Sequence, residues 1–532
     1  MNFRFTLLIG GLVIGYGALG FHLYQLQLVK GDYYFAKAEA QIIAARGANG
    51  DRGAIYFTDA SGNRLPAALE QQFPIIYAVP ASIADAPEAA NTVAPIVNMP
   101  VSTLEAVFSK SKDQYELLVR KADPGAAQRI TDLKLKGIYS GFDPERFYPL
   151  GPVASQLLGY VGPNSSSTGE SGHYGIEGYY ENVLSGGVAS DVTLTIDPNI
   201  QIQAEKILED LITNNHATGG SVIVEDPETG KILAMGSYPD FDPNDYSASP
   251  LKNLLNPAVQ QIYEPGSVFK VLTMAAGIDA GKLTPDTTYF DAGTVTVSGR
   301  KISNYDFKTH GPYGIATMTN VIEHSINTGA VFAEQKTGND IFTSYLKRFG
   351  LDALTGVDLP GELKGNLNRL NPKEPQVAFS TASYGQGVAV TPLELVNAVA
   401  AIANGGNLMR PYLNAALAPQ VIRRVISTST AQQVAGMMIS AVDRAKIANI
   451  EGYSLAGKTG TAFIPDLVHG GYTDTVIDSY VGFGPTSHPR FIALIKVDTL
   501  PSSALAAESV VPAFRQLSQY LINYYNIPPD RL

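Results

Sequence analysis

An α+β fold is predicted, with one antiparallel sheet built from strands at both ends of a domain and covered by the helices that lie between them in the chain. Three observations carry this expectation. Residues 221–224 (SVIV) and 231–235 (KILAM) flank Pro227-Glu228-Thr229-Gly230, which is a β-hairpin pattern. Residues 479–484 and 491–497, close to the other end, form a second strand pair. Several segments with helical apolar spacing separate the two hairpins.

Taken in order, the elements begin with an uncharged run over residues 5–21 (FTLLIGGLVIGYGALGF), which continues to the next charge at Lys30. Roughly 17 to 20 apolar residues cross a bilayer as a helix, so a transmembrane anchor is predicted over 5–28. Residues 1–4 carry Arg4 and no acid, which places them in the cytoplasm by the positive-inside rule. A cleaved signal peptide competes with this reading. Against it, the run is longer than a signal core, and Gly17-Ala18-Leu19-Gly20 is only an imitation of a cleavage site. Residues 29–190 read as a mixed pedestal-like, dimerisation-like module. It has a strand-like piece at 54–57 before the turn at 59–63, a Pro- and Ala-rich stretch over 80–100, helical pieces over 101–135, and an exposed loop at 164–169. No repeat or catalytic constellation is present there. From 191 to 532 a second domain is expected. It opens with a strand at 192–196, then a helix over 199–214 with Ile200, Ala204, Ile207, Leu208, Leu211 and Ile212 on one face.

Composition narrows the function classes. A chain of 532 residues with 45% hydrophobic and 16% charged residues suits a multi-domain globular protein. A net charge of −11 without a long basic run argues against nucleic acid as a partner. The absence of cysteine excludes disulfides and thiolate metal sites.

The chemistry points to Ser267 in Glu264-Pro265-Gly266-Ser267-Val268-Phe269-Lys270. A hydroxyl attacks well only when a neighbour takes its proton. On a helix, Lys270 shares a face with Ser267 and can do this, provided burial or a second cation keeps it partly neutral. Ser-x-x-Lys also occurs at Ser109, Ser249, Ser298 and Ser344, so context must choose. Only Ser267 follows a Pro-Gly helix start and opens an apolar helix (268–278). A second element, Ser325-Ile326-Asn327, is predicted in a helical stretch ending near Gly329, with a hydroxyl to relay a proton and an amide to hold a peptide. The third is Lys458-Thr459-Gly460-Thr461, read as a strand edge that grips a carboxylate-terminated peptide by β-addition. A second Lys-Thr-Gly, at 336–338, reads as a helix end with Gly338 as its cap.

Together, and in this order, these motifs resemble those of penicillin-binding proteins and serine β-lactamases. Over nearly its whole length the chain resembles class B (monofunctional) penicillin-binding proteins. Arg52-Gly53-Ala54-Ile55-Tyr56, Arg146-Phe147-Tyr148-Pro149, Gly175-Ile176-Glu177, Leu194-Thr195-Ile196-Asp197 with Gln201, Ser383-Tyr384-Gly385-Gln386-Gly387 and Thr391-Pro392-Leu393-Glu394-Leu395 carry the resemblance beyond the motifs. Phe57-Thr58 and Glu394 depart from the usual residues, which bears on subfamily and partner contacts. The resemblance implies a penicillin-binding/serine β-lactamase-like transpeptidase domain that cross-links peptidoglycan without a cofactor or metal. Ser267 would attack the penultimate D-Ala carbonyl of a stem peptide, with Lys270 as base, Ser325 as relay and Lys458 tuning the charge. Asn327 would bind the donor amide and Thr459 and Thr461 the terminal carboxylate, with Gly460 letting the substrate backbone approach. The N–H groups of Ser267 and Thr461 would form the oxyanion hole. Expected partners are stem peptides, β-lactam antibiotics, the membrane, and a lipid II glycosyltransferase of the division or elongation machinery.

Three alternatives share parts of this pattern. A D,D-carboxypeptidase or β-lactamase resolves the ester with water, although the anchor and pedestal disfavour a β-lactamase. A β-lactam sensor would need several membrane spans. A non-catalytic scaffold would not need four chemically competent residues at 267, 270, 325 and 458.

Overall fold

The computed structural model describes Tyr16 and residues 52–164, 170–185, 189–466, 468–501 and 505–531. The anchor predicted over 5–28 lies outside these residues except for Tyr16. Among the described residues no helix is long and apolar enough to cross a membrane.

The chain forms two compact units. Of the described residues from 52 onward, the first comprises 52–55, 66–149, 183–185 and 189–191. Its frame is a long strand β1 (Arg64–Ala78), which pairs antiparallel with β2 (Glu116–Val119) and β3 (Ile138–Phe147). Three helices lie between β1 and β3 in the chain: α1 (Ala86–Val97), α2 (Val101–Phe108) and α3 (Pro124–Leu133). Ile76 and Ile138 of the strands pack with Val93, Leu104, Phe108 and Ile130 of the helices. The Pro/Ala-rich stretch therefore holds a helix that its prolines obscure. Asp85 caps α1 by accepting from the Glu88 N–H, and Pro87 sits in the first turn, where its missing donor costs nothing. The region expected to be helical over 101–135 is interrupted by β2. In the same unit Arg146 donates to the Gly53 carbonyl (2.9 Å) and the Ala54 N–H to Asp191 (2.9 Å), which ties two segments of the resemblance together.

The second unit comprises residues 56–65, 150–182 and 192 onward. Helix α4 (Pro198–Asn215) starts at Asp197, whose side chain accepts from the N–H groups of Asn199 and Ile200, with Pro198 in the first turn. Strands β4 (Gly219–Glu225) and β5 (Ile232–Tyr238) form the first hairpin. After a 3₁₀ turn (Gly266–Phe269), helix α5 (Lys270–Asp279) is buried from Lys270 to Ile278. A small hairpin, β6 (Thr294–Val297) with β7 (Arg300–Ser303), precedes helices α6 (Met318–Glu323) and α7 (Asn327–Thr337). Next come α8 (Pro392–Ala403) and α9 (Thr428–Ala445). Strands β8 (Ala456–Pro465), β9 (Tyr472–Gly484) and β10 (Phe491–Pro501) and helix α10 (Val510–Tyr524) complete the unit.

The sheet order is β8-β9-β10-β4-β5, antiparallel throughout, so strands from the two ends of the unit meet where β10 pairs with β4 (Leu494 with Ile223). Alternation divides the faces. Val222, Val224, Ala493 and Ile495 pack with Ile200, Leu208 and Leu211 of α4 and with Phe514, Leu517 and Leu521 of α10. Against β4 and β10 also packs α8, which is started by a Thr391–Glu394 capping box. Helix α5 touches α7 and α9. Strand β8 is the sheet edge, paired among the described residues with β9 alone.

Candidate active site

The site is built at the start of α5. Ser267 lies in the 3₁₀ turn, where residues three apart eclipse, so Ser267 and Lys270 stand on one face. Gly266 has φ of +58°, and a Cβ there would lie 2.6 Å from the Thr461 carbonyl oxygen. A Cβ on Gly460 would lie 2.8 Å from the Pro265 carbonyl oxygen. Both glycines thus let the backbone of the nucleophile turn meet the backbone of β8 directly, with no side chain between. The 383–387 segment closes the turn from another side. The Gly266 N–H donates to the Gly385 carbonyl (3.2 Å), the Gly387 N–H to Glu264 (3.0 Å), and Thr273 Oγ1 to the Ser383 carbonyl (2.7 Å).

Ser325 is where the structure departs from the expected single helical stretch. Helix α6 ends at Glu323, Ser325 adopts φ of +55°, and α7 restarts at Asn327 and runs through Gly329 to Thr337. The break arises because the Ser325 carbonyl accepts from Lys270 Nζ instead of continuing the helix ladder. Gly338 does follow α7 as its cap, at φ +92°. The start of α7 is held by a buried network. Asp291 accepts from Thr328 Oγ1 and Asn304 Nδ2 (3.1 Å) and from the N–H groups of Tyr313 (2.8 Å) and Gly293 (3.1 Å). Burial would push this carboxyl up, yet the Thr328, Tyr313, Asn304 and Gly293 hydrogen bonds together hold it below its ordinary range. Beside this network Asn327 Nδ2 donates to the Ser303 carbonyl (3.0 Å), which fixes the amide at the cleft wall.

Three remote segments meet on one oxygen. Ser325 Oγ accepts from Lys270 Nζ (3.1 Å) and from Lys458 Nζ (3.0 Å). Lys458 also donates to the Thr459 carbonyl (3.0 Å) and Oγ1 (3.1 Å). Lys270 is fully buried and Lys458 is 3% exposed. Neither lysine forms an ion pair among the described residues. Burial pushes Lys270 well below the ordinary lysine range, the charge of Lys458 pushes it the same way, and Asp306 opposes. Burial alone pushes Lys458 down to about 7. The arrangement sets two lysines that burial makes easier to deprotonate on one hydroxyl, a geometry through which a proton can pass. Ser267 Oγ has no hydrogen-bond partner among the described residues, so its proton transfer awaits substrate-induced tightening.

On β8, Thr459 and Thr461 face Tyr480 and Asp478 in register. Thr461 Oγ1 donates to Asp478 (2.7 Å), whose other oxygen accepts from Ser509 (2.9 Å). Burial pushes the Asp478 carboxyl up, against those two donors. Thr459 Oγ1 only accepts from Lys458, so its proton is free for a substrate carboxylate. A cleft of about 920 Å³ joins Ser267, Ser325, Asn327, Thr459 and Thr461 with Arg300, Lys301, Asp306, His324 and Arg369. Lys270 and Lys458 sit beneath that lining. All the residues expected at the site are therefore brought to one place. Asp306, His324, Arg369, Asp478 and Ser509 were not anticipated. Only strand register singles out Asp478, and no sequence signal marks the others.

A serine at a helix start, a buried lysine pair and a second hydroxyl between those lysines, beside an edge strand, are the groups that acyl transfer by a serine requires. Residues 220–519 match the penicillin binding protein transpeptidase domain, and residues 48–206 the penicillin-binding protein dimerisation domain. The chain belongs to the penicillin-binding protein transpeptidase family. It is 31% identical to stage V sporulation protein D of Bacillus subtilis, over 84% of this chain and 74% of that protein. It is 26% identical to peptidoglycan D,D-transpeptidase FtsI of Escherichia coli, over 100% of this chain and 93% of that one. In fold it is similar to penicillin-binding protein 2X of Streptococcus thermophilus, with a TM-score of 0.73 at 20% identity over 90% of this chain and 81% of that structure.

Proposed function

We propose that this protein is a peptidoglycan D,D-transpeptidase that forms peptide cross-links through a serine acyl-enzyme. The supporting observation is the meeting of Lys270 and Lys458 on Ser325 Oγ, at 3.1 and 3.0 Å. In the first half-reaction Lys270, neutral, takes the Ser267 proton as Oγ bonds to the penultimate D-Ala carbonyl carbon. The oxyanion rests on the N–H groups of Ser267 and Thr461. The C–N bond breaks as Ser325 delivers a proton to the leaving D-Ala amine, replenished from the lysine pair. Thr459 Oγ1 and the Lys458 charge hold the terminal carboxylate, Gly460 lets the substrate backbone approach, and Asn327 holds the donor amide. In the second half-reaction an amine of another stem peptide bonds to the acyl carbon, the bond from that carbon to Ser267 Oγ breaks, and a proton of the amine returns to that oxygen. β-Lactams acylate Ser267 by the same route and stay bound.

The apolar run at 5–28 serves as a single-pass anchor with the catalytic unit outside the cytoplasmic membrane, and residues 29–190 serve as its pedestal. A lipid II glycosyltransferase of the division or elongation machinery supplies the glycan strands. The test is labelled-penicillin binding with mass mapping. Wild type takes one adduct on Ser267 and Ser267→Ala takes none. An adduct on another serine would remove the mechanism, and loss of D-Ala without transfer to an amine would leave a carboxypeptidase.

A further inference from the structure

The cleft around Ser267 is unevenly charged. Arg300, Lys301 and Arg369 line it, which suits the carboxylates of a stem peptide, and the one carboxylate among its described lining residues is Asp306. Asp306 precedes the short helix Phe307–His310 but makes no side-chain cap bond there. One of its oxygens accepts from the Tyr313 hydroxyl, and among the described residues no donor reaches the other and no cation pairs with it. Tyr313 stacks on His310 (ring centroids 4.1 Å apart) and lies 4.6 Å from the ring of His324, the residue just before Ser325. The carboxylate is thus oriented by Tyr313 in the wall of the cleft that also holds Ser267 and Ser325. Its charge favours the protonated form of Lys270, which hinders the base needed for acylation. The first half-reaction therefore gives no reason for a carboxylate here.

The second half-reaction does, because the acceptor amine arrives as an ammonium. We infer that Asp306 forms the acceptor subsite, its free carboxylate oxygen receiving the ammonium of the incoming peptide beside the Ser267 ester; this rests on the transpeptidase reading above. The ammonium then loses one proton to water. Its nitrogen bonds to the acyl carbon, the bond from that carbon to Ser267 Oγ breaks, and the second amine proton passes through Lys270 to Ser267 Oγ. The products are an amide and the free serine. Only acceptors that are cationic before attack gain from Asp306.

The experiment measures how the acyl-enzyme formed from a thioester or peptide donor partitions between transfer and hydrolysis, with two acceptors. One is a primary-amine peptide, cationic at neutral pH, and the other is hydroxylamine, which is largely uncharged. For Asp306→Asn the transfer-to-hydrolysis ratio with the peptide amine is expected to fall about tenfold or more, as loss of one partner of a charge pair does. With hydroxylamine the ratio stays within about twofold of wild type, because a neutral nucleophile has no charge to pair. Acylation should quicken or hold, since Lys270 sheds its proton more readily. Asp306→Glu, which keeps the charge, should restore most of the peptide-amine ratio, and Tyr313→Phe should lower it part of the way. An unchanged peptide-amine ratio in Asp306→Asn, or an equal fall with both acceptors, overturns the subsite. A wild-type enzyme that never transfers to either acceptor would instead overturn the transpeptidase reading.

Discussion

Removing the Ser325 hydroxyl isolates the proton relay from the binding machinery. In Ser325→Ala the two lysines lose a shared acceptor, at 3.1 and 3.0 Å, but neither is stranded. Lys270 keeps the Ser325 carbonyl, and Lys458 keeps the Thr459 carbonyl and Oγ1. The stability cost is therefore modest, about 1–2 kcal/mol for two hydrogen bonds whose donors retain other acceptors. For a unit of more than 300 residues that lowers Tm by about 1–3 °C. The kinetic cost is larger, because a positioned acid–base group contributes roughly 10²–10⁴-fold. Quenched-flow acylation with a labelled penicillin should show the acylation rate constant falling by that factor. The non-covalent Kd should stay within about threefold, because Lys458 and Thr459 still hold the carboxylate. Ser325→Gly supplies a control. It also lacks the hydroxyl, but glycine adopts φ of +55° without strain, so it should acylate as slowly as the alanine variant and melt no lower. Acylation by Ser325→Ala within tenfold of wild type would refute the relay.

Other outcomes follow from the buried charges and from β8. Acylation should rise from acid pH as Lys270 loses its proton and decline above about 7 as Lys458 loses its own. Lys458→Arg should remove that decline, and activity that climbs unbroken through alkaline pH would contradict the assignment. Because the folded state lowers the Lys458 pKa from 10.5 to about 7, the unfolded chain binds the extra proton. The destabilisation grows as pH falls from 10.5 to about 7 and is constant below, so Lys458→Met should raise Tm more at pH 7 than at pH 10. Asp478→Ala should slow acylation about 10–100-fold by freeing Thr461, whose N–H is proposed above to serve the oxyanion. Thr461→Val combined with Asp478→Ala should then cost no more than the worse single change, and multiplicative losses in the double variant would sink that coupling.

The sheet was legible because both hairpins carry local signals: a turn between short apolar runs at 221–235 and strand alternation at 479–497. The three motifs were legible for a different reason, since each needs a fixed short spacing. What escaped were features decided by tertiary contact. The helix break at Ser325 follows from a lysine 55 positions earlier taking its carbonyl. Helix α1 hides behind two prolines, Pro87 in its first turn, where the missing donor costs nothing, and Pro95 inside its last turns. Thr461 was expected to offer its hydroxyl to substrate, but that hydroxyl donates to Asp478 on the neighbouring strand. Asp306 and Arg369 reach the cleft from loops, where no periodicity marks a side chain as inward.

One oxygen atom receives hydrogen bonds from residues 55 and 133 positions away along the chain. Contacts so distant form only after the intervening segments have found their places, which makes them late events in folding. Covalent capture of a labelled drug therefore counts finished molecules and passes over partly assembled ones, whatever their helix content.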